Sequence, residues 1–106
     1  MNASTSPDEI QAKLGYEFSD QSLLLLSLTH TSYAAEHQAG RSESNERLEY
    51  LGDAILKAVI ADRLMRLLQL ADEGRLSKLS AQILSGRALA EAALTLDLQR
   101  YIKLGH

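Results

Sequence analysis

From Asn45 to Gln69 the chain carries one uninterrupted helical pattern. Leu48, Leu51, Ile55, Ala58, Val59, Leu64 and Leu68 fall mostly at intervals of three and four, the spacing that lines one face of an α-helix. No proline breaks the pattern, because the chain's one proline is Pro7. Ser44 or Asn45 can cap its start. At 1.5 Å per residue such a helix runs to roughly 37 Å. It would form the spine of a small domain, with this stripe turned to the core.

The flanking segments read as shorter helices. Ser6-Pro7-Asp8-Glu9 supplies a cap, a first-turn proline and a capping-box acid, and Gly15 supplies a stop. Ser19 opens a second segment with Asp20 in its first turn. Its apolar run, Leu23 to Leu28, fits a buried strand or a buried helix by periodicity. The serine cap and the lack of β-branched residues favour helix. Thr29 to Tyr33 reads as a turn or a helical continuation. Residues 36–44 form a polar loop. Asp72-Glu73-Gly74 and Ser85-Gly86 punctuate the remainder. Between and after them, Leu76, Leu79 and Ile83, then Leu89, Ala92, Ala93 and Leu96, mark two more amphipathic helices. The stretch from Asp97 to Leu104 reads as a short final turn or helix.

Composition agrees. Leu, Ala and Ile dominate the apolar residues, and only four Tyr and one Phe appear. That favours helices over a turn-rich sheet protein. The expected fold is all-α: one domain of five or six helices, with residues 1–5 frayed. Without cysteine there are no disulfides and no thiolate metal sites. A net charge of -3 gives no overall positive field to draw in nucleic acid or anionic lipid. No signal peptide or membrane-spanning run is evident, which makes a cytoplasmic, membrane-free setting the expectation. His30 reads as a hydrogen-bonded structural residue, His37 as part of the polar loop. The cationic side chains of the later helices form no cluster and have no aromatic platform beside them.

The long helix opens on a puzzle. Glu46, Glu49 and Asp53 stand three and four residues apart, so on a helix they face one way and repel. A solvated acidic face near the positive helix end explains Glu46 and Glu49. It explains Asp53 less well, although Lys57, four residues on, could pair with it. The other reading is a divalent metal site. Mg²⁺ takes oxygen ligands and keeps several waters, so two carboxylates a turn apart suit a partial site. Gly52 costs about 1 kcal/mol against Ala in mid-helix. Close approach of a substrate, or close packing of another helix, would offset that. Spacing alone leaves both readings open.

The stretch NERLEYLGDAIL, residues 45–56, resembles the signature of the ribonuclease III family, which runs close to NERLEFLGDAVL, with Tyr50 where Phe is usual. LGYEFSDQSLLLLSLTHTSYA (14–34), EGRLSKLSAQILSGRALAEAA (73–93) and RYIKLG (100–105) resemble the flanking parts of that nuclease domain, in order. The resemblance implies a homodimeric endonuclease that cuts double-stranded RNA with Mg²⁺, Mn²⁺ being a possible substitute, and uses no small-molecule cofactor. It implies that Glu49 and Asp53 are the catalytic, metal-holding carboxylates, with Glu46 in support. The family pattern continues into a stretch resembling DALEALIGAIYLD, which brings a second Asp and Glu. That stretch is not in this chain. The expectation is therefore a partial catalytic domain over 10–106, preceded by a flexible N-terminus and helix start over 1–9, without the second half or the double-stranded-RNA-binding domain. Such a chain would cut weakly or not at all alone, and would expose apolar faces that favour self-association. The competing expectation is a non-catalytic scaffold of the same fold.

Overall fold

A computed structural model describes residues 6–40 and 43–106. The expectations for residues 1–5 and for the 41–42 part of the polar loop concern positions outside that range. Six α-helices follow in order: α1 (Pro7–Leu14), α2 (Gln21–Ser27), α3 (Thr31–Glu36), α4 (Glu46–Leu67), α5 (Glu73–Ile83) and α6 (Gly86–Thr95). A 3-10 turn, Leu98–Arg100, comes last. The described residues contain no strand, only an isolated parallel bridge between Thr29 and Lys103. The all-α expectation holds.

Local chemistry sets the helix ends. The Ser6 hydroxyl accepts from the Glu9 amide, and Gly15 closes α1 in the left-handed region at φ 68°. Asp20, one residue after the expected Ser19, caps α2 by accepting from the Ser22 amide. Asp72 and Ser85 cap α5 and α6, so Gly74 and Gly86 fall inside the first turns rather than between helices. The segment after Thr29 is a separate helix, α3, capped by His30.

The core is small and lies at one end. Ile10 (1% exposed), Leu24 (2%) and Tyr101 (6%) meet there, with Phe18, Leu28 and Leu98 packed against them. Burial raises the Tyr101 phenol above its ordinary range, helped by its hydrogen bond to Glu9, 2.9 Å long. Gln11, also buried, accepts from the Phe18 amide at 2.6 Å and from the Gln21 side chain at 2.8 Å, joining α1 to α2. The last residues strap this end shut. The Lys103 amide donates to the Leu28 carbonyl (2.7 Å), and the His30 amide donates to the Lys103 carbonyl (3.0 Å). The Gly105 amide then donates to the Ser32 hydroxyl, 2.9 Å away.

The long helix departs from expectation. Of its stripe, Leu64 is buried and Leu48 and Leu68 are half-buried, but Leu51, Ile55, Ala58 and Val59 face solvent. The physical reason is that α4 packs on α5 and no described element covers its middle. The radius of gyration, 16.2 Å, accordingly exceeds the ~13 Å of a compact domain of about 100 residues.

Gly105 approaches the Ser32 backbone so closely that a β-carbon would lie 2.6 Å from its carbonyl oxygen. Gly105→Ala must push the strap off α3, and is expected to cost about 1–3 kcal/mol, as overpacking generally does. Thermal melts of the two proteins check this; an unchanged midpoint would contradict it.

Candidate metal centre

The acidic stripe stands on the first half of α4. Ser44, buried just before the helix, accepts from the Glu46 amide with its hydroxyl at 3.3 Å. Asn45 occupies the cap position but makes no side-chain cap bond. Its side-chain amide donates instead to the Ser27 carbonyl (2.9 Å), and its backbone amide to the Thr29 carbonyl (2.8 Å). The start of α4 is thereby fixed to the corner between α2 and α3. Sequence reading assigned Asn45 only a capping role. Its reach to Ser27 is a tertiary contact that no local pattern announces.

Glu46 and Glu49 fall in the first turn, where the positive end of the helix favours them. Glu46, Glu49 and Asp53 are all exposed. Asp53 pairs with Lys57 at 3.3 Å, with side chains 60% and 63% exposed. An exposed i,i+4 pair of this kind contributes only about 0.3–0.5 kcal/mol, which a competing cation can displace. Among the described residues no three His, Asp or Glu side chains gather into a metal-binding group. Glu49 and Asp53, one turn apart, therefore offer an open two-carboxylate edge rather than a closed cage. That suits a hard cation that keeps most of its waters. Among the described residues nothing lies within 4 Å of where a β-carbon on Gly52, between them, would stand. Close packing against those residues does not explain this glycine.

Two ridges share the helix. Glu49, Asp53 and Lys57 form one, and Leu51, Ile55 and Val59 the other. An offset of two residues turns the second about 200° from the first. The exposed apolar ridge thus lies nearly opposite the acids. His30 plays a structural part, its Nδ1 meeting the Ser32 hydroxyl at 2.8 Å and the Ser32 amide at 3.1 Å. His37 stacks on Tyr33 with ring centroids 4.0 Å apart.

The sequence and the fold have counterparts among known proteins. A family model described as Ribonuclease-III-like matches residues 20–106. The chain belongs to the ribonuclease-III-like family. It is 47% identical over 102 residues to Ribonuclease 3 of Pseudomonas entomophila, covering 96% of this chain and 42% of that protein. Against Ribonuclease 3 of Carboxydothermus hydrogenoformans the identity is 42%, covering 87% and 39%. The chain thus spans about two-fifths of the length of these curated relatives. The nuclease domain of ribonuclease III from Campylobacter jejuni, in a structure concerned with flexibility of a region involved in dimer formation, superposes with a TM-score of 0.84 at 36% identity. It covers 94% of this chain and 66% of that one. The family expected from the signature stretch is the family found.

The acids should do little for the fold. Glu49→Gln removes a like-charge repulsion of about 0.2–0.5 kcal/mol and a favourable helix-end charge of about 0.3–1 kcal/mol, so stability is expected to change by less than about 1 kcal/mol. Denaturant titration of parent and variant checks this; a loss above about 1 kcal/mol would show that Glu49 holds the fold.

Proposed function

We propose that this chain is part of the catalytic domain of a double-stranded-RNA-specific endoribonuclease of the cytoplasm. It would hydrolyse phosphodiester bonds in RNA processing with Mg²⁺, or Mn²⁺ in its place. The observation that carries this reading is the exposed Glu49–Asp53 edge within the family's signature helix. Glu49 and Asp53 would each give the cation a carboxylate oxygen, and Glu46 would accept a hydrogen bond from one of its waters. When bound, the metal lowers the pKa of an attacking water and offsets charge developing on the phosphate. The rest falls to the chain. Asp53, paired with Lys57 at 3.3 Å, would give up that partner to hold the cation. The start of α4, tied to the α2–α3 corner, holds the two carboxylates in place. The open edge admits a bulky duplex, which a closed cavity would not. A cation held there supplies locally the positive charge that a net charge of -3 denies the whole chain. The acids of the DALEALIGAIYLD-like stretch are not in this chain, so cleavage by the 106 residues alone is expected to be weak or nil.

Titration calorimetry with Mg²⁺ and Mn²⁺ tests the site. Asp53→Asn is expected to weaken binding about tenfold or more, since even partners of metal ligands are worth 10–100-fold. Equal affinity in parent and variant would instead favour the non-catalytic scaffold.

We also propose that the chain self-associates through α4 as a homodimer. The support is the uncovered ridge of Leu51, Ile55 and Val59, exposed by 54%, 53% and 51%. Light scattering is expected to give twice the monomer mass for the parent and the monomer mass for Ile55→Lys. A clean parent monomer with a cooperative melt would rule this arrangement out.

A further inference from the structure

We propose that Asn45 is a positioning residue for the Glu49–Asp53 edge, acting through α2 rather than by touching a cation. The inference rests on the metal reading above. The Asn45 side chain does not perform the task usual at its position. Asparagine at a helix cap usually accepts from the amide two or three residues on, yet Asn45 makes no such bond. Ser44 covers the Glu46 amide instead. Asn45 is thereby released to donate from its side chain to the Ser27 carbonyl and from its backbone to the Thr29 carbonyl.

Ser27 is the last residue of α2, where carbonyls lack a partner within their own helix. The two bonds therefore match acceptors at the end of α2 with donors at the start of α4. Two donors from one residue to two points on a neighbouring element fix direction as well as distance. The Asn45 carbonyl then accepts from the Glu49 amide at 2.8 Å, so the same residue that is clamped launches the turn bearing Glu49.

Beyond its first turn, α4 offers no buried anchor near the two acids. From Glu49 to Val59 every residue is exposed, and the next buried anchor is Leu64, eleven positions beyond Asp53. Half-buried Leu48 restrains the first turn sideways but supplies no directional bond. The corner that receives Asn45 is itself bonded on its other side to Lys103 through Leu28 and His30. Asn45 thus transmits the placement of the strapped core to the two carboxylates.

The test uses Asn45→Ser, which keeps a good capping side chain and adds no charge but cannot span to Ser27. Calorimetry with Mn²⁺ well below the melting midpoint is expected to show affinity at least about fivefold weaker, toward the range seen when partners of metal ligands are lost. Hydrogen exchange of the amides of residues 46–50 is expected to quicken. Unchanged Mn²⁺ affinity with a lowered midpoint would mean that Asn45 is merely structural, and would overturn the proposal. Should Asn45→Ser not fold, Asn45→Gln, which holds the amide on a longer arm, carries the same comparison with a smaller expected loss of about two- to threefold. Glu49→Gln run in parallel separates the two readings. If that variant binds Mn²⁺ as the parent does, the metal reading has failed, and the exchange rates alone decide whether Asn45 orients the first turn.

Discussion

Two hydrogen bonds at Lys103, one given to Leu28 and one taken from His30, close the chain on itself. Together with the Tyr101–Glu9 and Gly105–Ser32 hydrogen bonds, they bring the last residues back onto the first three helices. With them, the α2–α3 corner becomes a fixed point. The core of Ile10, Leu24 and Tyr101 packs on one side of it, and α4 departs from the other. Backbone pairing of this kind is insensitive to which side chains occupy the strap. Gly105 is the exception, because its α-carbon lies too close to Ser32 for any larger residue.

The long helix carries two opposed assignments on one cylinder. Its acidic ridge costs repulsion, and its apolar ridge leaves about half of each of three large side chains in water. Neither is what a helix selected only to stabilise this chain would display. Because the ridges are about 200° apart, a partner seated on Leu51, Ile55 and Val59 leaves Glu49 and Asp53 accessible. The ends of the helix are secured differently, by directional bonds at Asn45 and by burial at Leu64.

Much of this was legible in the residues. Caps and stops are local chemistry, so Ser6, Gly15, Asp72 and Ser85 mark helix ends that the structure confirms to within a residue or so. The long helix was legible from periodicity, and the family from the stretch around Glu49 and Asp53. What periodicity could not reveal is whether the apolar stripe of α4 meets anything. It records that a face is suited to burial, not which element does the burying. Likewise Asn45 looked like a cap, since its true acceptor lies 18 residues away in sequence. His30 was read correctly as structural, but its neighbourhood with Lys103 and Gly105 depends on chain closure over about 70 residues.

The Asp53–Lys57 pair has a consequence of its own. Lys57 acts as a tethered counterion: it is always present, at a local concentration set by its stem and not by the solution. Its positive charge offsets part of the field that Asp53 directs at Glu49. As salt rises, the repulsion along the acidic ridge and its relief by Lys57 are screened together, so the spacing of four residues leaves the stability of this helix only weakly dependent on ionic strength.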